Sequence, residues 1–192
     1  MIVGVLAVQG DFAEHRSVLE KLGADVTEVR LPQDLDNLDA LIIPGGESTT
    51  QRRLLDLYEL TDPIKSYAKT GKPIWGTRAG MIMLAKDLTD DRPDPLKLMD
   101  ITVSRNAYGR QVDSFETDLI CPELGSTSYR AVFIRAPSIV HIHSDEVVIL
   151  GKLSDGSPVA VRQGNLLATS FHPELTSDVR FHKYFLDFVD SK

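Results

Sequence analysis

Cysteine is nearly absent from this chain of 192 residues, which contains Cys121 and no other. A single cysteine excludes an internal disulfide framework and fits a reducing, cytoplasmic setting. A chain of this length buries roughly 70% of the surface that its unfolded form exposes, so its core needs no disulfide or metal. We therefore expect one domain, residues 1–192, with no metal and no cofactor.

The sequence also lacks an excess of positive charge and any long apolar run. Its formal net charge is −7 and its pI is about 5.2, which argues against nucleic acid or an anionic membrane as the main partner. No stretch approaches the roughly 20 apolar residues that a membrane helix requires. The apolar segment 1–8 lacks the basic flank of a signal peptide and is predicted to be a strand.

Short aliphatic runs alternate with helical patterns in the first half of the chain. Strands are predicted at 2–8, 26–31 and 38–43, and a helix is predicted to begin after Asp11. This alternation implies a parallel sheet with helices on both faces. Ligands of such sheets bind beyond the carboxyl ends of the strands.

The second half begins with the polar stretch 87–100, which is predicted to be an exposed loop. Shorter strand patterns follow, with hairpin turns at 154–157 and 163–165, and a final helix is predicted at 177–189. The sequence thus predicts an α/β fold: a three-layer sandwich with a mainly parallel central sheet flanked by helices, and extra antiparallel strands in the second half.

A sharp strand-to-helix turn is predicted at Gly76-Thr77-Arg78-Ala79-Gly80. Its glycines remove Cβ atoms that would clash in such an elbow, and the central side chain stands clear of the sheet. A thiolate or alkoxide at that point attacks carbonyl groups. Arg78 cannot do so, because a guanidinium is a permanent cation without a nucleophilic lone pair. The loop 44–50 also joins a strand to a helix and is expected at the same rim of the sheet.

A second candidate feature is His172-Pro173-Glu174, which follows an apolar strand. In an extended segment, residues two apart project to the same side, so imidazole and carboxylate are presented together. A base and its orienting partner are arranged in this way in catalytic triads. Alone, the pattern is a weak indication of function.

Taken together, these motifs resemble the glutaminase subunit of pyridoxal 5′-phosphate synthase, a class I glutamine amidotransferase-like family. The blocks that carry the resemblance run in family order from end to end of the chain. They are residues 5–12 with Glu14-His15, 44–50, 75–80 apart from position 78, 105–111 with 113–115, 133–137 and 171–176.

The resemblance implies hydrolysis of L-glutamine to glutamate and ammonia, which passes to a synthase subunit. It places the nucleophilic cysteine at position 78, where this chain has Arg78, and makes His172 the base and Glu174 its orienting acid. The amides of Gly46 and Ala79 would form the oxyanion hole. The implied glutamine-binding residues are Gly46, Glu47, Ser48, Arg105, Ile134 and Arg135.

Because the thioester pathway requires sulfur at the elbow, this chain is predicted to be inactive as a glutaminase. Arg78 is expected to pair with Glu174 or Glu47. Two interpretations stay open: an altered copy of an active enzyme, or a non-catalytic binding subunit that regulates the synthase. Local alternatives also stay open, since Glu47 could be only a helix cap and Arg105 only a surface charge.

The remaining titratable residues are given structural or peripheral roles. His141 and His143 alternate along a strand, but no third metal ligand lies at a fitting spacing. His182 is expected to pack or lie at the surface, and Cys121 is expected to be structural. His15 is a candidate for an interface with the synthase subunit.

Overall fold

The computed structural model describes residues 1–105 and 114–190 of the chain. The α-helices in this part are α1 Phe12–Lys21, α2 Ser48–Leu57, α3 Thr61–Lys69, α4 Ala79–Leu84 and α5 Arg180–Asp190. The strands are β1 Ile2–Leu6, β2 Asp25–Val29, β3 Ala40–Ile43, β4 Ile74–Thr77, β5 Ala85–Leu88, β6 Met99–Ser104, β7 Ser114–Leu119, β8 Tyr129–Ile134, β9 Ser138–Ile142, β10 Val147–Lys152, β11 Pro158–Gln163 and β12 Leu166–Thr169.

A seven-stranded sheet with the order β10-β11-β12-β4-β3-β1-β2 forms the centre of the fold. The five strands from β12 to β2 run parallel, whereas β10 and β11 pair antiparallel at one edge. The hairpins at 154–157 and 163–165 join these last strands, as predicted. The α/β class with a mainly parallel sheet is confirmed.

Alternating side chains of the central strands divide the core between the two faces of the sheet. Leu41 and Ile43 of β3 pack with α2, α3 and α4, while Ala40 and Ile42 pack on the opposite face with α1 and α5. Fully buried aromatic side chains fill the second face, where Trp75 stacks on Phe181 with ring centroids 6.4 Å apart. Both faces of the sheet are therefore covered, as expected for a three-layer sandwich.

The prediction of an exposed loop at 87–100 is correct for only part of the segment, because residues 89–98 form a loop in which Asp90, Asp91 and Asp94 are exposed, whereas other residues are buried. The segment starts in β5 and ends in β6, and Pro93, Pro95 and Leu96 between them are buried. Its backbone closes the end of α4, since the Leu96 amide donates to the Met83 carbonyl at 2.7 Å. Hydrogen bonds to a helix end satisfy the polar backbone here, so these three residues are buried within a segment that is otherwise acidic and largely exposed.

The parallel strands bring four loops to one edge of the sheet. The neighbouring strands β12, β4, β3 and β1 all run in the same direction, so the segments that follow them lie side by side. These segments are residues 170–174, the elbow at 78, the loop 44–47 and residues 7–11. Among the described residues, no helix combines the length and the apolar character of a membrane span.

Candidate active site

The elbow at position 78 is a strained backbone turn. Arg78 has φ 49° and ψ −106°, between the end of β4 and the start of α4, and its amide donates to the Thr169 carbonyl at 2.8 Å. A Cβ on Gly80 would lie 1.9 Å from the Ile43 carbonyl oxygen, and one on Gly76 would lie 2.5 Å from the Gly80 backbone. Both glycines are therefore required for the close approach of strand and helix, as the sequence predicts.

The loop 44–47 is fixed against the elbow and against the segment after β1. The Gly45 amide donates to Thr77 Oγ1 at 2.9 Å, and the Gly45 carbonyl accepts from the Asp11 amide at 2.9 Å. Gln9 Oε1 accepts from the Glu47 amide at 2.9 Å. These bonds fix the loop that contains Gly46, one predicted oxyanion donor, and Gly46 lines the same cleft as Ala79, the other.

Glu47 is a helix cap in this structure. Its carboxylate accepts from the Thr50 amide at 2.8 Å and from the Thr50 hydroxyl at 2.9 Å, and also from the Thr49 hydroxyl. These hydrogen bonds outweigh burial and lower the pKa of Glu47. The structure therefore supports the alternative that Glu47 caps a helix. The residue also lines the cleft described below.

His172 and Glu174 form the predicted pair. Both side chains are buried, and His172 Nδ1 lies 2.5 Å from Glu174 Oε1. With the proton of Nδ1 donated to the carboxylate, Nε2 carries the lone pair, and it has no hydrogen-bond partner among the described residues. Burial would raise the pKa of Glu174, but its interactions with His15 and His172 outweigh burial and lower it.

His15 lies behind this pair and is fully buried, so the expectation of an interface histidine is wrong. Its Nε2 is 3.2 Å from Thr77 Oγ1 and 3.4 Å from Glu174 Oε2, and its Nδ1 is 3.0 Å from His182 Nε2. Burial lowers the pKa of His15 and, more strongly, that of His182, so both imidazoles are neutral at pH 7.

The tautomers of His15 and His182 follow from the groups at the two ends of this hydrogen-bonded series, the carboxylate of Glu174 and Nδ1 of His182. A lone pair on His15 Nε2 would face the carboxylate of Glu174, so we assign the proton to Nε2. Nδ1 of His15 then accepts from His182 Nε2–H, and His182 Nδ1 keeps a lone pair without a described partner. The opposite assignment would bury an unpaired N–H on His182, which costs more than a bare lone pair.

Arg78 pairs with Asp11, and not with Glu174 or Glu47 as the sequence suggested. Its Nη1 lies 3.5 Å from Asp11 Oδ2, and that same carboxylate oxygen lies 3.7 Å from His172 Nδ1. Glu47 accepts the capping bonds of α2 and Glu174 contacts the imidazole of His172, and the carboxylate that pairs with Arg78 among the described residues is that of Asp11. Burial lowers the pKa of Arg78, and burial followed by the charge of Glu174 raises that of Asp11.

A cleft of about 570 Å³ opens in front of the elbow. The predicted site residues that line it are Gly46, Glu47, Ser48, Arg78, Ala79, Arg105 and Arg135. His172 and Glu174 are buried and are not among the described lining residues, although Asp11, which lines the cleft, lies 3.7 Å from His172. Ile134, half-buried at the end of β8, is not among them either. The structure thus gathers most predicted binding residues around one cavity, but not Ile134.

Arg105 and Arg135 enter the cleft from a different part of the chain than Arg78. Arg105 follows β6 and makes an ion pair with Asp90 at 3.0 Å, and Arg135 follows β8 with φ 45°. Ser104 pairs with Ser138 across β6 and β9, which brings the two arginines to the same wall. The rest of the arginine block, Asn106–Gln111, and Asp113 lie outside the described residues.

The remaining candidates lie away from the cleft. Cys121 is buried, and burial raises the pKa of its thiol to about 11, which fits a structural role. His143 is hydrogen-bonded to Thr102 at 2.7 Å. Among the described residues, the potential metal ligands that converge are Asp11, His172 and Glu174, within 4.8 Å of one another, rather than the pair His141 and His143.

Several residues that build the site are not indicated by the sequence pattern. The pattern makes Asp11 a helix cap, yet its side chain makes no capping bond. Gln9 and Gln51 support the loop 44–47, with Gln51 Nε2 donating to the Pro44 carbonyl at 3.0 Å, and Thr77 links the loop to His15. The burial of His15 has a sequence signal, because it lies on the helical face of Val18 and Leu19.

Comparison of the sequence with known proteins identifies the family of this chain. Residues 5–191 match the SNO glutamine amidotransferase family. Proteins named pyridoxal 5′-phosphate synthase subunit PdxT are 56% identical in Herpetosiphon aurantiacus and 52% identical in Roseiflexus castenholzii. Each alignment covers 97% of this chain, with 99% of the first relative and 100% of the second.

Solved structures give the same result. A crystal structure described as a glutamine amidotransferase has a TM-score of 0.91 and 46% identity, over 99% of this chain and 100% of that one. A glutamine amidotransferase of Thermotoga maritima, 12% identical with a TM-score of 0.64 over 99% of this chain and 84% of that one, shares the fold. The chain belongs to the SNO glutamine amidotransferase family.

Proposed function

We propose that this chain is the glutaminase subunit of a pyridoxal 5′-phosphate synthase, in a form disabled at its nucleophile. The observation that carries the proposal is the buried His172–Glu174 pair at 2.5 Å, beside a strained elbow, in which His172 Nε2 has no hydrogen-bond partner within the described ranges. The names of the curated relatives support the assignment to that synthase. We further propose a single domain over residues 1–192, a cytoplasmic location and a reaction without a cofactor.

The proposed substrate is L-glutamine, and the proposed partner is the synthase subunit that receives the ammonia. In an active form, a cysteine at position 78 would attack the side-chain amide and form a γ-glutamyl thioester. His172 would take the thiol proton and give a proton to the leaving ammonia, while Glu174 holds the imidazole. The amides of Gly46 and Ala79 would stabilise the oxyanion, a contribution of about 3 kcal/mol for one donor.

Glutamine binding is assigned to residues that line or adjoin the cleft. A cation suits the α-carboxylate of the amino acid, and an acid suits its α-amino group. The residues proposed for this role are Gly46, Glu47, Ser48, Arg105, Ile134 and Arg135. The assignment of Glu47 requires its carboxylate to serve both the ligand and the first turn of α2.

Arg78 removes the covalent pathway from this chain. A guanidinium has no lone pair to attack the amide, and its side chain lies against Asp11 within the cleft. Loss of the nucleophile of a triad costs on the order of 10⁶ in turnover. We therefore expect no glutamine hydrolysis above background by the chain as it stands.

The test is glutamate release from L-glutamine in the presence of the synthase subunit. Arg78→Cys is expected to raise the rate by at least about 10⁴ over the unchanged chain. Arg78→Ala is the matched control, since it removes the bulk and charge of the arginine without supplying sulfur, and it should stay at background. If Arg78→Cys binds the synthase subunit but releases no glutamate, the non-catalytic binding subunit is the correct interpretation.

A further inference from the structure

Among the described residues, three arginines place their guanidinium groups around the cleft in front of the elbow. Arg78 is contributed by the turn after β4, and Arg105 and Arg135 are contributed by the wall after β6 and β8. In the part of the chain that the structure describes, the carboxylates that line the same cleft are those of Asp11 and Glu47. Glu47 is already the acceptor for the first turn of α2, so its negative charge is shared with that helix.

Arg78 is held loosely for a side chain that is only 14% exposed. Its one hydrogen bond to a described residue is the 3.5 Å contact from Nη1 to Asp11, at the long limit for such a bond. Nε and Nη2 donate to no described residue, and Nε is buried. Leaving the donors of a partly buried guanidinium without acceptors costs free energy, and a second carboxylate would supply those acceptors.

The position of the Arg78 guanidinium determines which side-chain group of a bound amino acid it would contact. On the proposed function, the side-chain amide of glutamine is directed at residue 78. The side-chain amide of glutamine offers a guanidinium one acceptor, its oxygen, while its NH2 group is a donor facing a group that has only donors, so half of a bidentate pair is mismatched. A carboxylate of the same size offers only acceptors and pairs with a guanidinium in a planar, bidentate geometry.

We propose that this cleft binds L-glutamate in preference to L-glutamine, with Arg78 pairing the γ-carboxylate and the arginines of the opposite wall serving the α-carboxylate. The inference rests on the proposed function for the orientation of the amino acid. A volume of about 570 Å³ falls within the usual range of small-molecule sites and accommodates an amino acid of this size. The replacement at the elbow thereby converts a site for an amide into a site for the acid.

Isothermal titration calorimetry of the full chain with L-glutamate and with L-glutamine tests the proposal. Glutamate is expected to bind at least about tenfold more tightly, the difference made by a charge-assisted pair replacing a mismatched donor. Arg78→Met keeps the length of the side chain but removes its donors, and it should abolish the preference. Arg78→Lys keeps the charge without the planar fork and should give an intermediate ratio.

Controls separate this site from general effects. Arg130→Met, which removes an exposed arginine of β8 that pairs with Glu116, should leave both affinities unchanged. Inorganic phosphate should not displace glutamate at equal concentration. The proposal is overturned if glutamine binds as tightly as glutamate, if neither binds, if phosphate competes equally, or if Arg78→Met retains the preference. Circular dichroism of each variant verifies folding, and Arg78→Lys replaces Arg78→Met if the latter unfolds.

The two proposals fail in different ways. Restored glutamate release by Arg78→Cys together with no glutamate preference in the unchanged chain would reject this inference and keep the proposed function. A glutamate preference without any restored hydrolysis would reject the proposed function and leave an amino acid binding subunit.

Discussion

The two sides of the elbow differ in how many described contacts connect their charged groups to the rest of the fold. On the buried side, Glu174 is contacted by His172 and His15, and His15 is linked onward to Thr77 and His182. On the cleft side, Arg78 has one contact of 3.5 Å with Asp11, and its Nε has no described partner.

This difference indicates which part of the proposed site is independent of the side chain at position 78. His172 and Glu174 are held by packing and hydrogen bonds that involve β4, β12, α1 and α5. Their positions do not depend on the side chain at position 78. The cleft side depends on that one side chain. A single substitution should therefore restore chemistry, whereas changes on the buried side should damage both chemistry and stability.

The largest expected effect concerns His172. In the Arg78→Cys background, His172→Ala is expected to lower glutamate release by at least about 10³, because the thiol loses its base. In the unchanged chain the same substitution should not alter the background rate. A His172→Ala variant that keeps most of the restored activity would show that the buried side does not serve the elbow.

His15→Leu tests the support of the carboxylate. The change leaves Thr77, Glu174 and the His182 N–H with fewer partners in the core, and it should cost about 2–4 kcal/mol of unfolding free energy. Urea denaturation measures this loss. His15→Gln can retain one donor toward Thr77, so it should cost less. Equal losses for both variants would indicate that only the volume of the ring matters.

The buried histidines also predict a pH dependence. The folded-state pKa values of His15 and His182 lie below the ordinary 6.5, chiefly through burial. Below about pH 6.5 the unfolded chain therefore binds more protons than the folded chain, so stability falls as the pH falls. The slope approaches about 1.4 kcal/mol per pH unit for each such proton. Urea denaturation at pH 7.5 and 5.5 should show this loss, and unchanged stability would contradict the neutral assignment of both rings.

The smallest effect is expected on the cleft side, at the cap of α2. Glu47→Ala removes the acceptor for the Thr50 amide and should cost about 1 kcal/mol of unfolding free energy. The same variant tests the proposed ligand role, since calorimetry should show weaker amino acid binding. Lost stability with unchanged binding would leave Glu47 as a cap alone.

Much of the fold can be predicted because its signals are local. Aliphatic runs separated by helical patterns indicate a parallel sheet, and the rule that strand ends meet at one edge brings the loop 44–47, the elbow and His172 together. The glycines at 76 and 80 are likewise predictable, because a tight strand-to-helix turn excludes a Cβ at both positions.

The rest depends on contacts between distant segments. Asp11 begins a helix in the sequence, but Gly10, with φ 103°, and the bond from the Asp11 amide to Gly45 turn its carboxylate toward the elbow. The pairing of Arg78 with Asp11 follows from that turn and has no local signal. The segment 87–100 has the composition of an exposed loop, whereas the burial of Leu96 within it depends on docking against α4, which composition does not indicate.

The central claim is that the groups around position 78 are arranged to activate a thiol there. Intact-protein and peptide mass spectrometry after incubation with a glutamine-mimicking electrophile tests it most directly, in the Arg78→Cys variant and in the unchanged chain with the synthase subunit present. The account predicts one stoichiometric adduct at position 78 of the variant and none on the unchanged chain. A stoichiometric adduct on Cys121 in both proteins, with position 78 unmodified, would contradict it.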